Sequence, residues 1–125
     1  MNGIDYIADT NTILYITVNN PCIHPYVIKN LGISVITEME LLSFSKITES
    51  EIKMIKEMMS WCTEFQLNDN IKERAIYIRR KYGTKLPDAI VAATAITCNV
   101  PLISVDKGFK KIQELRLELI NPFNN

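Results

Sequence analysis

The sequence predicts an α/β fold, a three-layer sandwich in which helices flank a central, mostly parallel sheet of four to five strands. Three observations lead there. Short apolar runs, several of them β-branched, alternate with segments of helical periodicity along the whole chain, the pattern of strand–helix–strand crossovers. The stretch Leu86-Pro87-Asp88-Ala89-Ile90-Val91-Ala92-Ala93-Thr94-Ala95-Ile96 reads as a helix apolar on nearly every side, and such a helix belongs in the middle of a domain. Four acids, Asp9, Glu40, Asp88 and Asp106, each follow a strand-like run or open the helix after one.

In chain order, Asp5-Tyr6-Ile7-Ala8 predicts a short strand ending at Asp9. Asp9-Thr10-Asn11 offers three capping residues for a short helix from Thr12 to Thr17. After a break at Asn19-Asn20-Pro21, His24-Pro25 opens another short helix, with proline tolerated in its first turn, and Asn30 to Gly32 ends it. Ile33-Ser34-Val35-Ile36 is β-branched and strand-like. Thr37 is expected to cap the next helix, with Glu40 as its capping-box partner. Thr48-Glu49-Ser50-Glu51 is a second capping box, and the helix it opens carries Ile52, Ile55, Met58, Met59 and Cys62 at helical spacing. Phe65-Gln66-Leu67 suggests a short strand. Asn70 is expected to cap a helix with Ile71, Ala75, Ile78 and Tyr82 along one face, closed by Gly83. The helix from Pro87 stops near Asn99. Leu102-Ile103-Ser104-Val105 reads as a buried strand ending at Asp106, and Lys107 to Ile112 as a short helix. Leu115, Leu117 and Leu119 alternate with charged residues in a half-exposed last strand, before a polar tail from Asn121 to Asn125.

A chain of 125 residues fits one domain, residues 1–125, large enough to bury a core. Apolar content of 47% beside 22% charged residues fits a soluble globular protein. The formal net charge is +0, so attraction to nucleic acid must come from local patches. The apolar runs fall short of a bilayer span, and the N-terminus lacks a signal-peptide pattern, so no membrane association is expected. Cys22, Cys62 and Cys98 are odd in number and lack CxxC spacing. That argues against a disulfide framework or zinc site and for reduced thiols in a cytoplasmic protein.

Right-handed crossovers bring all strand-to-helix junctions to one edge of a parallel sheet, where ligands bind. The four acids would then gather. Two unit charges ~4 Å apart repel by about 4 kcal/mol at an effective dielectric of ~20, so the group needs a neutralising partner. Mg²⁺ or Mn²⁺ takes oxygen ligands and suits a carboxylate cage that retains water. Such a cation acidifies bound water and stabilises charge on a phosphoryl oxygen. No His base or Cys nucleophile sits in a matching position, which leaves metal-activated water as the attacking group.

The residues carrying this argument resemble a known family. Asp9-Thr10-Asn11, Ile36-Thr37-Glu38-Met39-Glu40-Leu41, Pro87 to Ala95, and Leu102 to Phe109 are similar, in order and spacing, to the four acidic motifs of PIN-domain nucleases. The closing Ile120-Asn121-Pro122-Phe123 resembles the end of many VapC-type toxins, the ribonucleases of type II toxin–antitoxin pairs. The resemblance implies a PIN-like sandwich and a Mg²⁺- or Mn²⁺-dependent endoribonuclease that leaves a 5′-phosphate and a 3′-hydroxyl. RNA, with tRNA the leading precedent, would be its substrate, a cognate antitoxin its partner and a homodimer its assembly. Asp9, Glu40, Asp88 and Asp106 match the catalytic, metal-binding acids, and Asn11 and Ser104 the supporting polar positions. Glu40 is chosen over Glu38 because the motif aligns through Leu41. Ser43-Phe44-Ser45 stands where a glycine is common, and Ser104 where threonine is frequent.

Positive charge for RNA is offered by Arg79, Arg80, Lys81 and Lys85 ahead of Asp88, and by Lys107, Lys110 and Lys111 after Asp106. Such residues position a phosphate backbone without reading its sequence. His24 is expected at the surface or at a helix start. Trp61, Met58, Met59 and Phe44 are expected in the core, although the helical pair that carries them resembles the place where an antitoxin tail docks. The competing reading is a catalytically silent PIN-like protein-interaction module. A receiver-like domain fits less well, since Asp9-Thr10 lacks the paired acids it needs.

Overall fold

The computed structural model describes residues 3–123; Met1 and Asn2, and the Asn124-Asn125 end of the expected polar tail, lie outside the described residues. Five strands form one sheet: β1 (Tyr6–Ala8), β2 (Leu31–Ser34), β3 (Thr63–Phe65), β4 (Leu102–Ser104) and β5 (Leu117–Leu119). Their order is β3-β2-β1-β4-β5, and every adjacent pair is parallel. The helices are α1 (Thr10–Thr17), α2 (Val35–Leu42), α3 (Glu49–Ser60), α4 (Asp69–Tyr82) and α5 (Leu86–Cys98), with 3-10 turns at Pro21–Tyr26 and Lys107–Lys111.

Side chains alternate across the central strands as a pleat requires. Ile7 and Leu102 join a core with α4 and α5, built on Ile71, Ala75, Ile78, Ala89, Val91 and the alanines that follow. Ala8 and Ile33 face the other way, onto Ile13, Leu41, Ile55 and Met59 of α1, α2 and α3. The sequence reads α5 as a central helix, and its run of small residues explains why: Ala89, Ala92, Ala93 and Ala95 are all fully buried, letting the helix approach sheet and neighbour closely. Gly32 serves a similar end in β2, where a Cβ would stand 2.7 Å from the Phe65 ring and 2.8 Å from Ile7.

Helix ends follow local chemistry. Thr48 and Glu51 form the expected reciprocal cap, Thr48 Oγ1 accepting from Glu51 N at 3.1 Å while Glu51 Oε1 accepts from Thr48 N at 2.9 Å. Thr48→Ala removes half of it and should lower stability by about 1 kcal/mol, read as a shift in the urea midpoint at unchanged slope. Gly83 ends α4 with φ of 68°, a left-handed conformation that glycine adopts freely.

Several expectations shift. The second strand ends at Ser34 rather than Ile36, and Ser34 Oγ accepts from Ile36 N at 3.2 Å to cap α2. Thr37 is therefore not a cap. It lies inside α2, fully buried, and the expected Thr37–Glu40 capping box does not exist. Asn68 rather than Asn70 caps α4, accepting from Ile71 N at 2.9 Å. Asp9 alone caps α1, which starts at Thr10. The turn expected to open at His24 begins at Pro21, capped by Asn20, and His24 is exposed within it. The third strand sits two residues earlier than expected, and the last is confined to Leu117–Leu119. Trp61 and Phe44 are not in the core: Trp61 is 82% and Phe44 58% exposed, because both fall just beyond a helix end, past the face that packs. Among the described residues, no helix is long and apolar enough to cross a membrane.

Candidate active site

The strand order reverses beside β1, whose neighbours β2 and β4 leave in opposite directions along the chain. In open parallel sheets the crevice at such a point, outside the carboxyl ends of the strands, is where ligands bind. A cleft of about 400 Å³ lies there, lined by Asp9, Asn11, Glu40, Asp88 and Asp106, with Thr10, Ser43, Phe44, Val91 and Phe109 among the remaining wall. Asp9 follows β1, Glu40 lies in α2 just after β2, Asp106 follows β4, and Asp88 opens α5. All four acids singled out in the sequence reach one cavity.

Asp9 is the most rigidly held. Its carboxylate is buried, and Oδ1 accepts from Thr12 N at 2.9 Å and from Thr12 Oγ1 at 2.7 Å. Ser104 Oγ donates to Asp9 Oδ2 at 2.6 Å and accepts from Asp106 N at 2.9 Å. Ser104 thus ties the ends of β1 and β4 together beneath the cleft rather than lining it. Asp106 Oδ1 accepts from Gly108 N at 2.7 Å, which sets the turn after β4. Thr10 Oγ1 donates to Glu40 Oε1 at 2.6 Å. The start of α2 at Val35 points Glu40 at this partner. Glu38 faces elsewhere, against Glu64 of β3, where burial and the Glu38 carboxyl push the Glu64 pKa up.

The electrostatics record the crowding. Burial pushes the Asp9 carboxyl up, against hydrogen bonds from Ser104 and Thr12 that pull it down, and Asp106 adds repulsion. Asp88, half-buried, is pushed up first by burial and then by Asp106, Glu40 and Asp9 in turn. An acid whose pKa is raised on folding favours the fold below its unfolded pKa and loses that advantage as pH rises through the folded value. Fully ionised, the cleft therefore works against the fold, and a bound cation would reverse the sign. Among the described residues, no three His, Cys, Asp or Glu side chains already stand together as a metal cage. Hydrogen bonds from Thr10, Thr12, Ser104 and Gly108 hold Glu40, Asp9 and Asp106 in their present orientations. The donor set, four carboxylates with an amide beside them, nevertheless suits a hard divalent ion.

The basic residues divide. Lys85 lies beside the cleft, on the wall of an adjoining pocket. Arg79, Arg80 and Lys81 line neither. Arg79 Nη1 donates to the Thr84 carbonyl at 3.3 Å, and Lys81 lies 3.5 Å from Glu114 over the Tyr77 and Tyr82 rings. Sequence reasoning missed Thr10 and Thr12 as carboxylate partners, although their place directly after Asp9 is the signal that could have found them.

A family model described as PIN domain matches residues 6–115. The chain belongs to the PIN-domain family. Solved structures similar to it include a toxin–antitoxin complex from Klebsiella pneumoniae, 25% identical with a TM-score of 0.78, covering 94% of this chain and 98% of that one. VapBC-1 from nontypeable Haemophilus influenzae is also 25% identical at TM-score 0.78, with 93% and 98% covered. DNA-bound VapBC from Salmonella typhimurium shares the fold at 19% identity and TM-score 0.79, with 92% and 97% covered. Among curated proteins, none matches the sequence.

Ser104→Ala should leave Asp9 Oδ2 and Asp106 N without their shared hydroxyl. Were Asp9 and Asp106 to hold a cation, a partner of this kind behind the ligands would matter about 10- to 100-fold; manganese affinity measured by calorimetry should then fall by about that much, and Ser104→Thr should restore it.

Proposed function

We propose that this protein is a metal-dependent endoribonuclease, the VapC-like toxin of a toxin–antitoxin pair, working as a single cytoplasmic domain. The observation that carries the reading is the convergence of Asp9, Glu40, Asp88 and Asp106 on one cleft, in a chain of the PIN family. These four residues would hold Mg²⁺ or Mn²⁺, with Asn11 at the rim. When bound, the ion supplies Lewis acidity, lowering the pKa of a water and offsetting charge on a phosphoryl oxygen.

The chain's own groups do the rest. Thr12 and Ser104 hold the Asp9 carboxylate in one orientation, Thr12 through Oδ1 and Ser104 through one bond to Oδ2. Thr10 restrains Glu40, and Ser104 couples Asp9 to Asp106, so the acids are positioned before substrate arrives. Val91, Leu14 and Phe109 give the cleft apolar flanks, which strengthen charge interactions inside it.

An antitoxin partner is supported by the two 25%-identical structures, a toxin–antitoxin complex and VapBC-1. Exposed Trp61, Ile28 and Val27 around a groove of about 360 Å³ offer an apolar surface suited to such a partner. A homodimer, as the family resemblance implies, is checked by light scattering.

The purified protein should degrade single-stranded and structured RNA in Mn²⁺ or Mg²⁺ and be silent in EDTA, with products bearing 5′-phosphates. The spacing of the acids favours one other reading, a catalytically silent interaction module. Failure of any divalent ion to bind or to raise the melting temperature would overturn the nuclease reading and leave that one.

A further inference from the structure

Beside the four-acid cleft lies a pocket of about 260 Å³ that shares Asp88, Asp106 and Phe109 with it and adds Thr84, Lys85 and Lys111. Three features of that wall suit an anion. Lys85 and Lys111 are its cations; Lys85 pulls the Asp88 carboxyl down from a distance, but among the described residues the ion pairs join Lys72 to Asp69 and Lys81 to Glu114 and include neither lysine. Thr84 is 4% exposed, and its Oγ1 is a buried hydroxyl without a hydrogen-bond partner among the described residues. Leaving such a group unsatisfied costs stability. The N-terminus of α5 also opens here, with Lys85 at the capping position, no side chain capping it and Asp88 in its first turn, so its backbone N–H groups face the pocket mouth beside one carboxylate.

We propose that this pocket seats a backbone phosphate of the RNA, next to the one being cleaved, with Lys85 and Lys111 balancing its charge and Thr84 Oγ1 donating to a phosphoryl oxygen. The assignment rests on the nuclease reading for its substrate and on the shared wall for its location. Asp88 and Asp106 lie between the two spaces, so a strand whose scissile phosphate occupies the cleft would extend into the pocket. The Arg79 guanidinium braces the same connection through the Thr84 carbonyl, holding the loop rather than the ligand.

The test measures binding rather than turnover. In a Glu40→Gln background, which removes a carboxylate of the cleft that is not on the pocket wall, a labelled oligouridylate is titrated in Mg²⁺ at several salt concentrations. Lys85→Ala with Lys111→Ala should weaken binding about tenfold and lower the salt slope by about 0.7, the share of one single-strand phosphate. Thr84→Val should weaken binding several-fold without lowering the melting temperature, because a methyl group replaces an unsatisfied hydroxyl. Thr84→Ser should bind like the parent. Unchanged affinity and slope in the lysine variant, parental binding by Thr84→Val, or no oligouridylate binding at all would each overturn the proposal. Cleavage by the unmodified protein is scored separately, so an active enzyme with indifferent variants refutes the pocket alone. Conversely, lysine-dependent binding without cleavage refutes the nuclease and spares the pocket.

Discussion

Asp88→Asn is expected to abolish divalent-dependent RNA cleavage, lowering the rate about 10²- to 10³-fold or more. The size follows from the several kcal/mol that a cation supplies to a developing phosphoryl charge, at about 1.4 kcal/mol per tenfold. The substitution is nearly isosteric and sits in the first turn of α5, where Asp88 caps nothing, so the backbone has no reason to move. Its second signature is opposite in sign. Removing one of four mutually repelling charges, the one raised by Asp106, Glu40 and Asp9 together, should increase the thermal stability of the metal-free protein. The gain in melting temperature that Mn²⁺ gives the parent should shrink in the variant. A variant that melts lower without metal, or that keeps parental cleavage, contradicts the assignment of Asp88 as a ligand.

Ile7→Ala is expected to be the most damaging core change, destabilising by about 2–5 kcal/mol, the usual range for cutting a buried isoleucine to alanine. Ile7 is fully buried in the central strand, with β2 on one side and β4 on the other. Against a total of about 5–15 kcal/mol, that loss can be a third or more, and the melting temperature should fall by roughly 10 °C. Val18→Ala, at a position 70% exposed, should change stability by no more than about 0.5 kcal/mol in the same thermal scan.

How much of this was readable in the residues varies with scale. Strand–helix alternation and the all-apolar α5 predicted the layers, because each depends on periodicity over many positions. The four acids could be gathered before any coordinates, since parallel crossovers leave no other edge for strand-end residues. Single-residue boundaries were harder. Ser34, Thr37, Asn68 and Asn70 are all competent caps, and which one acts depends on where burial stops the neighbouring strand or loop. The error at Thr37 hid the real partner of Glu40, a hydroxyl 30 positions away on α1. Ser104 was readable as a polar position, but not as the bridge between Asp9 and Asp106, which exists only because β1 and β4 lie side by side. Trp61 and Phe44 were misplaced for a related reason: hydrophobicity alone does not say that a helix has already ended. Of the pocket at Thr84, Lys85 and Lys111 were readable as basic residues near the acids, but not their meeting with the Thr84 hydroxyl, since the wall is assembled from a loop, a helix start and a 3-10 turn.

The pairing of Ile7 with Leu102 and of Ala8 with Ile103 also governs when the molecule can first become competent. Contacts that span most of the polypeptide form late and slowly, and a nascent chain emerging from the ribosome cannot join its opening strand to one whose residues are still unsynthesised. Until Ser104 and Asp106 have been translated and released, Asp9 has no companion across the crevice. Translation products that stop before Asp106 therefore lack the complete constellation, and the time needed to synthesise the stretch between β1 and β4 is a built-in delay between starting synthesis and completing the acidic crevice.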